Sequence, residues 1–337
     1  MLVKCVLKLV LFLPFYPLIK YLYDKCLESE AMEEISTYDV IIIGGSYAGL
    51  SAAMTLGRSL RSVLIIDAGT PCNQPADYAH NLIGYDGSSP ASIRKKAKAQ
   101  VLKYHSVTFM NGKAVALSGI ENDFQVVTDT GLTVGAKKVL LATGVTDILP
   151  DIPGFAECWG KTAVHCPYCH GYEIASKKIG VLAHGDAGFE MVKLIRQWST
   201  KLFVLANDND DFDDEALDWM HEKKIPVIPA RIKSIDHHNG GVSKVEFEDG
   251  TNIEVDAIYA RTGVTQQMDI PLHMGCEFDS HGFIIVDDNK KTNIPGMFAA
   301  GDNTTSTRTL SMAIAAGTVA GIHINKELVD EDYKIKA

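Results

Sequence analysis

The sequence predicts an α/β protein built from two doubly wound, Rossmann-like domains. Two segments follow the order strand, glycine turn, helix, strand, the first starting at Asp39 and the second at Lys178. The length of 337 residues agrees with two domains at roughly 150 residues per domain. Apolar residues form 46% and charged residues 22% of the chain, which is typical of a folded globular protein and excludes a disordered chain.

Residues 1–36 differ from the rest of the chain and are predicted to be an N-terminal extension. Leu9 to Ile19 is an apolar run of 11 residues, shorter than the roughly 20 residues of a transmembrane helix, and it contains Pro14 and Pro17. No small-residue cleavage site follows it. We therefore favour a dispensable extension upstream of Met32, and membrane contact through residues 1–30 is the alternative.

The first βαβ unit carries a dinucleotide-binding pattern. A β-branched strand, Asp39 to Ile43, runs directly into the turn GGSYAG, Gly44 to Gly49, and a second strand ends at Asp67, 23 residues after Gly44. In this pattern the glycines permit a tight turn, the amides at the helix start bind a pyrophosphate, and the acid accepts a hydrogen bond from a ribose hydroxyl. Ser46 replaces the second glycine, and its small side chain can be accommodated.

Cys166 and Cys169 have the spacing that closes a small, reversible disulfide. The same residues form CPYCH, which also matches the attachment motif of a c-type haem with His170 as the axial ligand. A zinc site is less supported, because no second Cys or His pair follows at finger spacing. We predict no metal site. The other five cysteines are expected to be free thiols in a reducing, cytoplasmic compartment.

The second βαβ unit retains the architecture but carries weaker chemistry. Its turn has Gly185 and Gly188, but Ala183 stands at the first glycine position. The segment Asn207 to Glu215 contains six acids and no Lys or Arg, so it would repel the 2′-phosphate of NADPH. The acidic segment therefore predicts that NADPH binds poorly. Binding of NADH through Asp208 and a vestigial nucleotide fold are equally weighted alternatives.

Four motifs, in the order GGSYAG, LLATG, CPYCHG and MFAAGD, resemble those of the low-molecular-weight thioredoxin reductases, which are flavoproteins of the pyridine nucleotide-disulfide oxidoreductase class. The resemblance extends from Tyr38 to Lys326. The variant CPYCHGYE is similar to the branch that includes small-molecule dithiol oxidases, such as those that close the disulfides of gliotoxin and holomycin. The resemblance implies a flavoprotein with two dinucleotide-binding domains and FAD as its cofactor.

The resemblance also implies roles for individual residues. The FAD pyrophosphate would be bound by Gly44, Gly45, Ser46, Ala48 and Gly49, and the adenosine ribose by Asp67. Other parts of the cofactor would be bound by Gln74, Thr143, Gly144, Gly301 and Asp302. The basic triplet that binds the NADPH phosphate in the family falls on Ala206, Asn207 and Asp208, none of which is basic.

In the redox pair, the resemblance places Cys169 against the flavin and Cys166 where it exchanges with substrate. His170 replaces the Asp that acts as acid and base in the family. An imidazole with an unperturbed pKa of about 6.5 is close to half-protonated near neutral pH and can both give and take a proton. Glu173 is the candidate that orients it.

The predicted function is that of an FAD-dependent thiol-disulfide oxidoreductase of the thioredoxin reductase type. Its partners would be a thioredoxin-like protein or a small dithiol or disulfide, and the family implies a homodimer. An O₂-dependent dithiol oxidase with a vestigial nicotinamide site is the main alternative, and a c-type haem protein or a non-enzymatic flavin sensor is a distant one. The formal charge of −10 argues against nucleic-acid binding.

The FAD domain is predicted to be split, because both the pyrophosphate turn and the Gly301–Asp302 turn must reach one cofactor. Its parts are residues 38–150 and 267–325, and the domain inserted between them, residues 151–266, is nicotinamide-like and carries the CxxC pair. Residues 326–337 are predicted to be a C-terminal tail.

Overall fold

The computed structural model describes residues 35–209 and 211–333. Residues 1–34, which make up nearly all of the predicted extension, and residues 334–337 of the predicted tail lie outside the described residues. Within the described ranges, no helix is long and apolar enough to cross a membrane.

Helices and strands follow one another along the described chain in a mixed order. The part up to residue 170 contains β1 (Thr37–Ile43), α1 (Tyr47–Arg58), β2 (Val63–Asp67), α2 (Pro90–Val101), β3 (Val107–Asn111), β4 (Ala114–Ile120), β5 (Asp123–Thr128), β6 (Thr133–Leu141), β7 (Val145–Ile148), α3 (Phe155–Cys158), β8 (Ala163–Val164) and α4 (Pro167–His170). The remainder contains β9 (Ile179–Leu182), α5 (Gly185–Ile195), β10 (Leu202–Leu205), α6 (Asp214–Glu222), β11 (Val227–Ile228), β12 (Ile232–His238), β13 (Gly241–Phe247), β14 (Asn252–Glu254), β15 (Ala257–Ala260), β16 (Gly263–Gln266), α7 (Ile270–His273), β17 (Met297–Ala299) and α8 (Leu310–Asp332).

The first sheet is built from both ends of the described chain. Its strand order is β3-β2-β1-β6-β5-β4, and β17 pairs in parallel with β6. β1 is buried on both faces, because Val40, Ile41 and Ile42 have no exposed surface, as expected of a β-branched strand in a parallel sheet covered by helices. α8 packs on α1 so closely that a Cβ at Gly317 would overlap the carbonyl oxygen of Ala48. The late segment therefore reaches the first glycine turn.

The second sheet has the strand order β11-β10-β9-β15-β8, with all neighbours parallel. An antiparallel sheet of β12, β13 and β14 lies beside it. β8 leads into α4, so the sheet positions the CPYCH segment at the carboxyl end of one strand. β7 and β16 pair with each other as a two-stranded antiparallel ribbon, and this ribbon carries both chain crossings between the two large sheets.

The predicted fold class, two doubly wound α/β units, is confirmed. The predicted start of the tail is wrong, because α8 continues to Asp332. Leu328 in this last part of α8 is fully buried, and Glu331 pairs with the buried Lys138 at 2.5 Å. These contacts hold residues 326–332 on the first sheet.

Candidate active site

A cleft lies between the first glycine turn and the CPYCH segment. Elements from both large sheets line it. Its walls include the helix start at Ser46 and Ala48, the segment after β6 at Thr143 and Gly144, the turn at Gly301 and Asp302, and the residues Cys166, Cys169 and His170. The fold thus brings together in one cleft residues that lie more than a hundred positions apart in the sequence.

The first glycine turn has no room for side chains. Gly44 has a φ of +107°, a conformation that favours glycine. A Cβ at Gly49 would overlap the carbonyl oxygen of Gly44, so α1 starts in direct contact with the end of β1. Ser46 is the N-cap of α1 but makes no side-chain capping bond. Its hydroxyl and the first amides of α1 therefore lie at the cleft with no capping side chain over them.

Asp67 closes the turn from the neighbouring strand. The Gly45 amide donates to Asp67 Oδ1 at 3.0 Å, which ties the end of β2 to the turn. The second carboxylate oxygen is not used in that bond. Gly301, with a φ of +104°, brings the late segment against the turn, and a Cβ there would lie 3.0 Å from Ala48 Cβ.

Asp302 belongs to a buried polar cluster. Its Oδ2 lies 3.5 Å from Arg308 Nε and 3.5 Å from the Cys72 sulfur. Burial raises the pKa of Asp302, and the Arg308 guanidinium opposes that change. Burial and the Asp302 charge raise the pKa of Cys72 to about 11. Cys72 is therefore a protonated thiol and a poor nucleophile, even though it lines the same cleft.

Arg308 and Asp147 form a nearly buried ion pair that the sequence analysis missed. Arg308 Nη1 donates to Asp147 Oδ1 at 2.6 Å, and Nη2 donates to Oδ2 at 3.3 Å. Trp159 Nε1 also donates to Asp147 Oδ2, at 3.2 Å. The pair therefore joins the ribbon strand β7, the segment before α8 and the segment after α3. Burial alone would raise the pKa of Asp147, but the Arg308 bonds outweigh it and lower the pKa.

Cys166 and Cys169 are joined in a disulfide at the start of α4, and both residues are half-buried. Because both thiols are used in this bond, neither is free for the thioether links of a c-type haem. His165 precedes the pair, and its ring stacks on Trp159 with 5.8 Å between the ring centroids. Burial, with the Arg308 charge, lowers the pKa of His165 to about 4, so this imidazole is neutral.

Burial acts on the protonation of His170. It lowers the pKa of this imidazole below the ordinary value of 6.5, and a backbone bond to Cys166 and the charge of Glu173 only partly oppose this. Relative to the half-protonated imidazole that the sequence predicts, burial therefore favours the neutral form. His170 Nδ1 is buried and has no hydrogen-bond partner among the described residues. A neutral imidazole of this kind can accept a proton.

The second glycine turn shares with the first the close approach of helix and strand, but not its backbone angles. A Cβ at Gly188 would lie 2.9 Å from Ala183 Cβ, much as one at Gly49 would overlap Gly44. Gly185 has a φ of +58°, whereas Ser46, at the same position of the first turn, has a φ of −96°. The carboxylate of Asp211, however, lies beside this turn, with Oδ2 3.4 Å from the Cβ position of Gly185. His184 Nδ1 is 3.7 Å from Asp211 Oδ1. A carboxylate that is more than half exposed thus lies beside the start of α5.

The predicted site residues lie in different parts of the structure. Those that line the cleft are Ser46, Ala48, Thr143, Gly144, Gly301, Asp302, Cys166, Cys169 and His170. Gly44, Gly45, Gly49 and Asp67 shape its floor, and Gln74 lines a neighbouring cleft with Gln267 and Met268. Gly185, Gly188 and Asp208 lie at the second turn, away from both clefts, and Asp208 adopts a φ of +64°. No spacing signal could have revealed Arg308 and Asp147, which meet only through the fold.

The residues of the cleft fit FAD. The turn at Gly44 and Gly49 leaves backbone amides uncovered at the start of a 12-residue helix, as a pyrophosphate requires. Asp67 lies at the end of the adjacent strand, where a ribose hydroxyl would be bound. A dinucleotide site that faces a disulfide defines an oxidoreductase that moves electrons between a dinucleotide cofactor and sulfur.

The comparisons with known proteins agree with this class. The chain belongs to the pyridine nucleotide-disulphide oxidoreductase family, whose model matches residues 38–317. Membership implies FAD as a cofactor, and it confirms the prediction of an FAD-dependent oxidoreductase of the thioredoxin reductase type that acts on sulfur groups.

Similar proteins match the chain over most of their length. Thioredoxin reductase tcpT of Claviceps purpurea is 31% identical, over 88% of this chain and 96% of its own. The structure of TrxB from Bacillus anthracis is 31% identical with a TM-score of 0.84, over 88% of this chain and 100% of that chain. The oxidoreductase from Agrobacterium tumefaciens is 33% identical with a TM-score of 0.82, over 87% of this chain and 99% of that chain.

Proposed function

We propose that the protein is an FAD-dependent oxidase of small dithiols, in which electrons enter through Cys166 and Cys169 and leave to O₂. The observation that carries this proposal is the Asp211 carboxylate beside Gly185 in the second glycine turn. Electrons must reach the flavin either from a nicotinamide cofactor or from a dithiol. If the nicotinamide side is closed, the dithiol side is the donor.

The second turn does not fit NADPH. Asp211 and the dinucleotide pyrophosphate are both anionic, so they would compete for the amides at the start of α5. Asp208 and Asn207 stand where a 2′-phosphate would need Arg or Lys. We therefore derive no step through NADPH.

FAD would be held in the first cleft by Gly44, Gly45, Ser46, Ala48 and Gly49 at the pyrophosphate and by Asp67 at the ribose. Thr143, Gly144, Gly301 and Asp302 would contact the rest of the cofactor, while Gln74 would contribute from the neighbouring cleft. FAD supplies, when bound, the acceptor for two electrons. The chain supplies the geometry that places the disulfide in the same cleft.

The thiol chemistry can be followed at named atoms. One substrate thiol gives its proton to His170, and the resulting thiolate attacks Cys166 Sγ, so that the bond to Cys169 breaks and Cys169 leaves as a thiolate. The second substrate thiolate then attacks the mixed disulfide and releases Cys166. The substrate leaves as a disulfide, and its two electrons stay on the cysteine pair. Over the complete cycle, two electrons and two protons leave the dithiol and convert O₂ to hydrogen peroxide.

The surroundings of the redox pair favour a small, partly apolar substrate. Both cysteines are half-buried inside the cleft rather than on a protruding surface. Tyr78, which lines the cleft, is exposed. Its ring gives an incoming apolar molecule surface to pack against.

A second candidate is an NADH-dependent disulfide reductase, and its partner would be a thioredoxin-like protein. The close approach of α5 to β9 at Gly188 favours it, since a nucleotide-binding turn also needs its helix to pack closely on the strand. The name of the Claviceps purpurea relative, a thioredoxin reductase, points the same way.

Anaerobic mixing of the FAD-loaded protein with NADH, NADPH or dithiothreitol separates the two candidates. We expect dithiothreitol alone to bleach the flavin, O₂ to restore its colour, and hydrogen peroxide to appear in equal amount to the disulfide formed. Cys166→Ser should keep FAD bound and lose this bleaching, whereas Cys276→Ser, which alters a thiol outside the cleft, should keep it. Fast bleaching by NADH would replace the oxidase with the reductase.

A further inference from the structure

His80 makes a contact that joins the two halves of the candidate site. It lies in the loop between β2 and α2, and its Nε2 is 3.5 Å from Glu173 Oε1. Glu173 follows the CPYCH segment, whose Cys166, Cys169 and His170 line the cleft. On its other side, His80 Nδ1 is 3.5 Å from Asp86 Oδ1. The imidazole therefore lies between two carboxylates, one from its own loop and one from the segment after α4.

Glu173 is also the acid nearest in sequence to His170. The backbone after α4 continues in turns, and the Gly171 amide donates to the Pro167 carbonyl at 2.7 Å. The charge of Glu173 acts on His170, where it favours the protonated imidazole, and the charge of His80 acts on the same ring in the opposite direction. Glu173 is thus in contact with His80 and close enough to His170 to affect it.

Glu173 depends on a contact with another residue to stay near His170. Its side chain is 42% exposed, so water competes for the carboxylate and several rotamers are open to it. His80 is better fixed, with a side chain 21% exposed that lines the cleft. Asp86, which contacts the far side of His80, is itself held by the Asn81 amide at 2.8 Å. A partly exposed pair of this kind adds little to stability, so its effect is on geometry.

We propose that His80 is a positioning residue that holds the Glu173 carboxylate toward His170 across the cleft, so that His170 can take the proton of an incoming substrate thiol. The step is a proton transfer only. The thiol S–H bond breaks, the proton binds the His170 imidazole, and the resulting imidazolium is stabilised by the Glu173 carboxylate. This inference rests on the proposed function for its use of a thiol as the proton donor.

The test measures how fast dithiothreitol opens the Cys166–Cys169 disulfide in the FAD-loaded protein without O₂, by acid quenching and alkylation of the released thiols. We expect His80→Ala to slow opening about tenfold, a part of the roughly 10²- to 10⁴-fold that a general base contributes. His80→Gln should regain most of the rate, because its amide N–H can still donate to Glu173. His105→Ala, an exposed histidine outside the cleft, should have no effect.

A double-variant cycle identifies the residue through which His80 acts. If His80 works through Glu173, the variant carrying both His80→Ala and Glu173→Gln is no slower than Glu173→Gln alone. The inference would be overturned if the rate losses of the two single variants multiplied in the double variant. It would also be overturned by equal rates for His80→Ala and His80→Gln, or by a wild-type rate in His80→Ala. FAD content, measured by absorbance, reports folding in every variant. A wild-type disulfide that dithiols do not open would instead overturn the proposed function, and the inference with it.

Discussion

The two glycine turns share a close approach of helix to strand and differ in the charge beside the helix start. In both, a glycine lets the helix start against the preceding strand, at Gly49 in the first turn and at Gly188 in the second. In the first turn, the acid at the end of the next strand, Asp67, accepts from the Gly45 amide and leaves the helix start open to the cleft. In the second, Asp211 lies beside the helix start itself.

This comparison predicts that a Rossmann-like strand, turn and helix are not sufficient for anion binding. The start of a helix attracts one negative group through its free amides and its dipole. We expect a carboxylate of the chain beside that start to reduce the attraction for a pyrophosphate. On this hypothesis, the side chains around the turn decide whether the site can bind a nucleotide.

The largest expected effect comes from replacing one glycine in each turn by alanine. Gly49→Ala should lower FAD affinity by about 10- to 100-fold, because moving α1 away from the Gly44 carbonyl costs about 1–3 kcal/mol. Gly188→Ala should destabilise the protein through its contact with Ala183 while FAD affinity stays the same. Titration with FAD and urea unfolding measure the two effects.

Gly263→Ala is the matched control, because its Cβ would make only an ordinary contact, 3.4 Å from Ile148. It should change neither quantity appreciably. Equal loss of FAD in the Gly49 and Gly188 variants would show that the second turn also supports the cofactor, and the contrast between the turns would fail.

A smaller effect concerns the acid at the second turn. Asp211→Ala should raise NADH affinity about tenfold, or about 1.4 kcal/mol, because one negative charge leaves the helix start. Calorimetric titration with NADH measures the change. Asp214→Ala, an exposed acid in α6 that removes the same charge elsewhere, is the control. An equal gain from Asp214→Ala would reduce the effect to net charge.

Asp208→Ala sharpens the same comparison in the opposite direction. If Asp208 accepts a hydrogen bond from the ribose, its loss should weaken NADH binding in the Asp211→Ala background. Unchanged affinity would favour a vestigial second turn.

The smallest expected effect tests the junction between the two halves, where His165 stacks on Trp159. The pKa of His165 is about 4 in the folded protein against 6.5 for an unperturbed imidazole, so the unfolded chain binds the proton first as the pH falls. The contribution of His165 to stability is therefore complete above its pKa in the unfolded chain and is lost as the pH falls below that value. Between about pH 7 and about pH 5.5, His165 should account for a loss of about 1 kcal/mol in the free energy of unfolding.

His165→Gln should remove that part of the pH dependence, as urea unfolding at the two pH values would show. His170, whose pKa is also lowered by burial, keeps its own contribution with the same sign in both proteins. An unchanged difference between the two pH values in the variant would contradict the assignment to His165.

Much of the site could be predicted because its signals are local. The run Asp39 to Ile43, the turn Gly44 to Gly49 and the CxxC spacing each depend on neighbouring residues, so they predict their own strand, turn and redox pair. The protonation of His170 could not be predicted in this way. Its pKa depends on burial, and burial is decided by packing across the cleft.

The sequence by itself determined the two α/β units, the dinucleotide turn, the redox pair and the acids of the second turn, because periodicity and short spacings encode them. The tertiary structure alone decided that Arg308 meets Asp147, that His80 meets Glu173 and that Asp211 lies at the start of α5. These contacts join segments distant in the chain, and no local pattern specifies which distant side chains will share a wall of a cleft. α8 likewise continues past the predicted start of the tail because packing on the first sheet holds it there.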